Sequence, residues 1–171
     1  MNVDSARLAR ARTILASVPD PEVPAISLVE LGIVRDLREA DDGALEAVLT
    51  PTYSGCPATE VIERSVVEAL DGAALGPVRV VMQRAPAWTT DWISEAGRDK
   101  LRDYGIAPPG RAAAVDDGVA MRFVPRRREP VACPRCGSAH TERLSAFGAT
   151  ACKALHRCLA CREPFEHFKP L

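Results

Sequence analysis

The sequence predicts an α+β fold, a small sheet covered by helices, followed by a separate C-terminal module built on four cysteines. Three observations carry that expectation. Apolar residues alternate between helical and strand-like spacing through the first hundred positions, an unperiodic Pro/Gly/Ala stretch follows, and C-x2-C pairs stand at 133–136 and 158–161. A chain of 171 residues with 47% hydrophobic content can bury one core of about 100 to 150 residues and a small satellite. The expected division is a domain at 1–105, a linker at 106–130 and the cysteine module at 131–171.

Each element has its own reason. Leu8, Ala11, Leu15 and Val18 recur at helical spacing between arginines, so a first helix is expected over 5–18, stopped by Pro19. "PDPEVP" holds three prolines in six residues and reads as an extended loop. Residues 27–51 read as two strands joined around Asp41-Asp42-Gly43, with Leu45, Ala47 and Leu49 alternating on one face. Ile62, Val66, Ala69 and Leu70 mark a second helix, with Gly72 as its expected terminator. "PVRVVMQ" is a third, β-branched strand. "TTDWISEAGRDKLRDYG" reads as one helix capped by Thr90 or Asp91, with Ile93, Gly97, Leu101 and Tyr104 as its buried stripe and Gly105 at its end. "APPGRAAAVDDG" suits a linker, and "VAMRFVPRRREP" an added edge strand.

No run of eighteen apolar residues exists, and "MNVDSARLARARTILASV" carries charges throughout without a hydrophobic stretch before a cleavage site. A soluble, cytoplasmic chain is expected. Six cysteines in a reducing compartment point to metal binding or catalysis before disulfides. The net charge of −1 hides a bipolar molecule. From Arg122 onward ten Lys/Arg face four Asp/Glu, a net of about +6, leaving residues 1–121 near −7. The run Arg126 to Arg128 is a thin footprint for phosphate. Solvated spacer is the simpler reading and an acidic protein the leading partner. Nucleic acid and membrane are not expected partners.

The C-x2-C pairs, separated by twenty-one residues, place Cys133, Cys136, Cys158 and Cys161 where two tight turns can aim four thiolates at one Zn²⁺. A zinc ribbon of about 40 residues has almost no apolar core, so the metal would supply its folding free energy. A rubredoxin-like iron site or a redox dithiol pair uses the same spacing and stays open. Cys152, inside the spacer, is either a buried hydrophobe or an extra thiol for a transient metal. His140, His156 and His167 read as surface or packing residues, because four thiolates already close the site.

Cys56 lies in "TPTYSGCPATEVIE", with Pro57 expected as the first helical residue and Cys56 near the N-cap. A thiol there sees the positive end of the helix and is expected to ionise easily, although an inert buried cysteine fits equally well. No histidine precedes His140, so a Cys–His pair within the first domain is excluded. Asp20 and Glu22, with Glu30 beyond them, would oppose a thiolate at Cys56 unless a cation stood between, in which case they form a mixed oxygen/sulfur site; the simpler reading is that Asp20 caps a turn and Glu22 is solvated. There is no glycine-rich phosphate loop and no HExxH pair, and Trp88 and Trp92 read as core or interface anchors. An independent enzyme finds little support.

"DPEVPAISLVELGIV" followed by "LTPTYSGCPATEVIE" resembles the iron–sulfur assembly domains of the SufT-like and MIP-type family over residues 8–85. With "WTTDWISEAGRDKLRDYGIAPP", "CPRCGS" and "FGATACKALHRCLACREPFEHFKP", the whole chain resembles the PaaD family, proteins associated with the phenylacetyl-CoA epoxidase of aerobic phenylacetate catabolism. The family pattern carries to Asp20, Glu22, Thr50 and Cys56, and to the four ribbon cysteines. The resemblance implies an accessory or maturation subunit that assists iron or iron–sulfur centre assembly, with the oxygenase and reductase subunits as partners. In this reading zinc fills the ribbon, and iron or an iron–sulfur fragment is held transiently at Cys56. An electron-transfer component and a structural adaptor of the same complex are the alternatives, and a homodimer around a shared metal on Cys56 is compatible with a lone thiolate.

Overall fold

The computed structural model describes residues 3–53, 55–110 and 130–170. The chain divides into two compact units, Met1–Lys100 and Leu101–Leu171.

In the first unit α1 (Val3–Leu15) buries Ala11 and Leu15 completely. Arg7 on this helix donates to the Gly43 and Leu75 carbonyls (2.9 and 2.7 Å) and pairs with Glu39, so one guanidinium joins the turn at Gly43 to the segment at Leu75. β1 (Val34–Glu39) and β2 (Leu45–Leu49) pair antiparallel across the expected Asp-Asp-Gly turn, where Gly43 adopts φ +78°. β3 (Val78–Met82) runs parallel to β2, giving the order β1-β2-β3. Such a pairing needs a crossover. α2 (Thr59–Asp71) supplies it, with Ile62, Val66 and Leu70 buried.

Several expectations are corrected here. Residues 27–33 form turns, tied by Leu31 N–H to Ser27 O and Gly32 N–H to Val29 O, and the first strand starts only at Val34. Gly72 keeps right-handed angles (φ −58°), and the left-handed residue after α2 is Ala74 (φ 54°). The single helix expected from Thr90 is a 3-10 turn at Thr90–Trp92 followed by α3 (Glu95–Tyr104). Ile93 is extended between them and buried, and the Ser94 amide donates to the Glu30 carbonyl, a tertiary bond that outcompetes helix continuation. Ser94 Oγ then caps the Gly97 amide at 3.0 Å. Tyr104 is 54% exposed and does not belong to a buried stripe.

The second unit carries a four-stranded sheet in the order β4-β7-β6-β5: β4 (Ile106–Ala107), β5 (Thr141–Ser145), β6 (Lys153–Cys158) and β7 (Pro164–Phe168). β4 is parallel to β7 and the other pairs are antiparallel. Ile106 and Ala107, expected in the linker, are therefore buried strand residues. A two-residue strand offers no alternation to read in the sequence. Ala107, Phe165, Cys133 and Cys158 form one buried cluster with Val131 packed against it, so two prospective metal ligands are themselves core residues. The expected edge strand and Arg126–Arg128 lie outside the described residues, apart from Pro130.

Gly32 has φ +76°, and a Cβ there would stand 2.7 Å from the Cβ and the carbonyl oxygen of Trp92. Gly43 has the same backbone sign but open space, its nearest neighbour being Glu39 Oε1 at 3.9 Å. Gly43→Ala should thus cost about 1 kcal/mol of backbone strain, and Gly32→Ala about 3 kcal/mol because overpacking adds to it. Denaturant unfolding followed by Trp88 and Trp92, the chain's two tryptophans, reads the first unit alone. Equal losses in the two variants would refute the packing contribution.

Candidate functional site

The two C-x2-C turns bring four sulfurs together. The first turn is closed by the Gly137 amide donating to Cys133 O (2.9 Å) and the Cys133 amide to Ser138 O (3.0 Å). The second hangs from the end of β6, where the Cys158 amide donates to Glu163 O (3.0 Å) and the Cys161 amide to Cys158 Sγ (3.5 Å). Cys133 Sγ lies 3.7 Å from Cys161 Sγ and Cys136 Sγ 3.6 Å from Cys158 Sγ, and all four ligand atoms fall within 4.8 Å of one another. A tetrahedron with metal–sulfur bonds of about 2.3 Å has sulfur–sulfur edges of about 3.8 Å. The donor set therefore fits a four-thiolate metal centre. Cys133 and Cys158 are buried, whereas Cys136 and Cys161 face solvent.

Without a cation, four sulfurs at this spacing cannot all be ionised. Hydrogen bonding from the Cys161 amide is the main influence that brings the Cys158 thiol down to about 6. The amide of Glu163 favours the Cys161 thiolate, but burial and the sulfurs of Cys158, Cys136 and Cys133 together push that thiol up to about 12. One member keeps its proton so that its neighbours can share charge. A divalent cation would displace it, so occupancy rises with pH.

The other residues of this module do not join the cluster. Cys152 is buried, with its Sγ 3.0 Å from Thr150 Oγ1. His156 stacks on Phe165 and meets His167 edge-on at 5.3 Å, and its Nδ1 is buried without a hydrogen-bond partner. Burial lowers both imidazoles, His167 to about 4. His140 starts no ligand set either, its amide donating to Ser138 Oγ and its carbonyl accepting from Leu159.

Cys56 occupies the connection from β2 to α2. Thr50, the first residue past β2, is 1% exposed; its amide donates to Ile33 O (2.9 Å), while its Oγ1 is buried with no hydrogen-bond partner. A small apolar cleft lined by Ile33, Leu49, Pro51, Thr59, Ile62 and Met82 flanks this loop. α2 begins at Thr59 with Ala58 as N-cap, so Pro57 is not the first helical residue, and Cys56 stands near the cap, two residues before it. The Cys56 carbonyl accepts from the Thr59 amide and hydroxyl (3.2 and 2.9 Å), forming a turn ahead of the helix. The Thr59 hydroxyl went unread in the sequence, although a Thr three residues after the cysteine is the signal for such a turn.

Of the two readings of Cys56, its surroundings favour the inert buried cysteine over the easily ionised thiol, and the acidic loop opposes the thiolate as the sequence suggests. Burial raises its pKa, and the negative charges of Glu22 and Asp20 raise it further, against the favourable Ala58 amide and Thr59 hydroxyl. The acidic loop thus acts on this sulfur. Asp20 is buried and ties its own loop, Oδ1 accepting from the Glu22 and Val23 amides (3.0 and 2.8 Å). Glu30 is committed to Ser27 and to Lys100 at 2.7 Å; these partners outweigh its burial and hold its carboxyl below the ordinary range. Among the described residues only the ribbon cysteines converge into a cluster of three or more ligands, so Cys56, Asp20 and Glu22 are neighbours without being a closed cage. No described helix is long and apolar enough to cross a membrane.

Residues 8–81 match the family described as "Iron-sulfur cluster assembly protein", and residues 120–169 match "PaaD zinc beta ribbon domain". The chain is 46% identical over 91% of its length, and 88% of the relative's, to a putative 1,2-phenylacetyl-CoA epoxidase subunit of Escherichia coli (strain K12). It is 35% identical over 51% of its length, and 85% of the relative's, to "Fe-S protein maturation auxiliary factor YitW" of Bacillus subtilis (strain 168). The crystal structure of a domain of unknown function, DUF59, from Bacillus anthracis superposes with a TM-score of 0.53 at 24% identity, over 57% of this chain and 93% of that one, which establishes the shared fold of the first unit. Two domain matches in this order, with a near full-length relative, show that the chain belongs to the PaaD family of phenylacetyl-CoA epoxidase subunits.

Proposed function

We propose that the chain is an accessory subunit of the phenylacetyl-CoA epoxidase system that assists assembly of an iron or iron–sulfur centre in the oxygenase or its reductase. The carrying observation is the environment of Cys56. A half-buried thiol lies within the electrostatic reach of the Glu22 and Asp20 carboxylates, whose negative charge a cation would offset. One sulfur with oxygen neighbours is an incomplete ligand set, which suits brief holding and release better than permanent storage. The ribbon holds zinc in this reading, as its sulfur edges near 3.7 Å are compatible with Zn²⁺, and it serves as a folded docking module. The partners are the oxygenase and reductase subunits. Electron transfer through the four-cysteine site is a second reading, favoured only by the fact that iron accepts the same sulfur geometry.

Metal analysis of protein purified without oxygen should give one zinc per chain in the parent and in Cys56→Ser, with iron in the parent alone. Oxygenase or reductase matured with Cys56→Ser should be short of iron. Full iron loading of the client in that variant would sink the assignment, and iron in place of zinc in the ribbon would favour electron transfer.

The raised thiol gives a pH test. In metal-free protein the alkylation of Cys56, followed by peptide mass, should be slower at neutral pH than that of an ordinary thiol near 8.5 and should accelerate only above that value. Glu22→Gln removes a charge that opposes the thiolate, so its alkylation curve should move to lower pH, and ferrous iron should protect the thiol. A midpoint at or below the ordinary thiol range in the parent would contradict this electrostatic picture.

A further inference from the structure

At the end of β5 and in the loop that follows it, the second unit holds two large apolar side chains in solvent. Phe147 is 62% exposed and Leu144, three residues before it, 49%. Exposed apolar residues are common on folded proteins, so exposure alone decides nothing. The informative feature is the structure that keeps these two outside.

Leu144 is a β-bulge residue. Arg143 pairs with His156 and Ser145 with Leu155, which leaves Leu144 as the extra position in the ladder. Bulges re-aim side chains and bend the strand that carries them. The loop beyond it is fixed at nearly every peptide. The Phe147 amide donates to Ser145 Oγ (3.2 Å), the Gly148 amide to Lys153 O (2.8 Å) and the Ala149 amide to Glu166 Oε1 (2.6 Å). Glu166 is aimed there by Lys153, whose side chain is 4% exposed and whose Nζ lies 2.7 Å from Glu166 Oε2. Gly148 is part of the same arrangement, since a Cβ at this position would stand 2.5 Å from Glu166 Oε1. A buried ion pair is weak evidence of stabilisation, because apolar residues of similar volume do as well. This one bonds a surface loop at the Ala149 amide, and its effect is to preset the shape of the loop that carries Phe147.

The surroundings of the ring select the partner. Lys169 Nζ sits 4.5 Å from the Phe147 ring centroid and donates to Ala146 O. Arg143 adjoins Leu144 and is exposed. Neither cation has a carboxylate partner among the described residues, whereas Glu142 is paired with Arg157 and Glu166 with Lys153. Among the described residues, Lys169 at the Phe147 ring and Arg143 next to Leu144 are thus cations without an ion-pair partner.

We infer that Leu144 and Phe147, flanked by Lys169 and Arg143, form the docking surface of the ribbon for an acidic face of a partner protein that offers an apolar pocket to the Phe147 ring. Resting on the proposed accessory role, the partner is the oxygenase or the reductase of the epoxidase system. A preset aromatic anchor binds without the ordering cost of a mobile loop, and the two cations steer the encounter.

The test is binding of the full, zinc-loaded chain to the purified oxygenase and to the purified reductase by surface plasmon resonance, at low and at physiological salt. The variants are Phe147→Ser, Lys169→Glu and Gly148→Ala, each checked for unchanged zinc content and circular dichroism. Phe147→Ser should weaken binding about tenfold or more, mainly by faster dissociation, as expected for a buried aromatic anchor. Lys169→Glu should mainly slow association and flatten the salt dependence. Gly148→Ala keeps every exposed side chain and disturbs the loop alone, so weaker binding in that variant supports the role of the preset shape. Parent-like binding by Phe147→Ser overturns this docking surface and leaves the accessory role standing. No binding of the parent to either component overturns both. Self-association that disappears in Phe147→Ser, without any effect on the two components, overturns the assignment in favour of a second copy of the chain.

Discussion

The first unit depends on one constraint, that β2 is the strand with two neighbours. It pairs antiparallel with β1 through a short turn and parallel with β3, and the parallel pairing obliges the chain to leave the sheet, cross by a helix and return. Leu45, Ala47, Val48 and Leu49 are all buried, and each of the larger aliphatic side chains among them contributes about 1.5 to 3 kcal/mol when removed from water. That burial fixes the register and therefore where β2 ends. The connection into α2 must start at Thr50, over the carboxyl end of the strand. Loops at this end of a sheet are the usual ligand positions in folds with parallel pairing, and here the position delivers Cys56. The acidic loop arrives by a parallel route: the Pro19–Ser27 bridge closes it, the Leu28 amide donates to Val18 O, and the Ile33 carbonyl receives the Thr50 amide.

The second unit solves a different problem with sulfur. Its core is too small to be defined by hydrocarbon alone, and Cys133 and Cys158 stand in it where larger domains place leucine or valine. Their partners Cys136 and Cys161 remain at the surface. Metal ligation and core packing are thus one interaction in the ribbon. Cys56 lies outside any such cluster, and the nearby Asp20 carboxylate serves the backbone of its own loop. A closed set of four donors and a single open donor are the physical basis of the proposal that one unit serves structure and the other transient chemistry.

What the sequence discloses follows from how local each feature is. The Asp41-Asp42-Gly43 turn, the α2 stripe and the two C-x2-C turns depend on residues adjacent in the chain, and all three stand where the sequence places them. Tertiary bonds defeat the reading elsewhere. The break at Ile93 and Ser94 requires the Glu30 carbonyl, more than sixty residues back in the chain. β4 exists only because β7 lies beside it. Pro57 satisfies the preference for a helix start, yet the turn made by Thr59 on the Cys56 carbonyl delays the helix by two residues. Asp20, Glu22 and Cys56 are legible as a group because their opposing charges are evident in the sequence, but the sign of the thiol's shift depends on burial, which composition does not reveal.

That sign changes what the Cys56 loop can do. A low-pKa thiolate would be a nucleophile open to any electrophile or oxidant. A thiol whose pKa is raised by burial and two carboxylates is a weaker nucleophile at neutral pH, and in the proposed role it would ionise on meeting a cation. The same carboxylates attract the cation, and its charge then reverses their effect on the sulfur. Capture must expel a proton, so affinity falls as pH falls below the raised thiol pKa, and a cation that binds sulfur poorly gains nothing from the exchange. Hard ions such as Mg²⁺ and Ca²⁺ meet the carboxylates but cannot displace the proton, whereas iron bonds to both donor types. In the proposed role, discrimination at this loop would rest on the cost of removing one proton, and the acidic residues that raise that cost would also attract the cation that must overcome it.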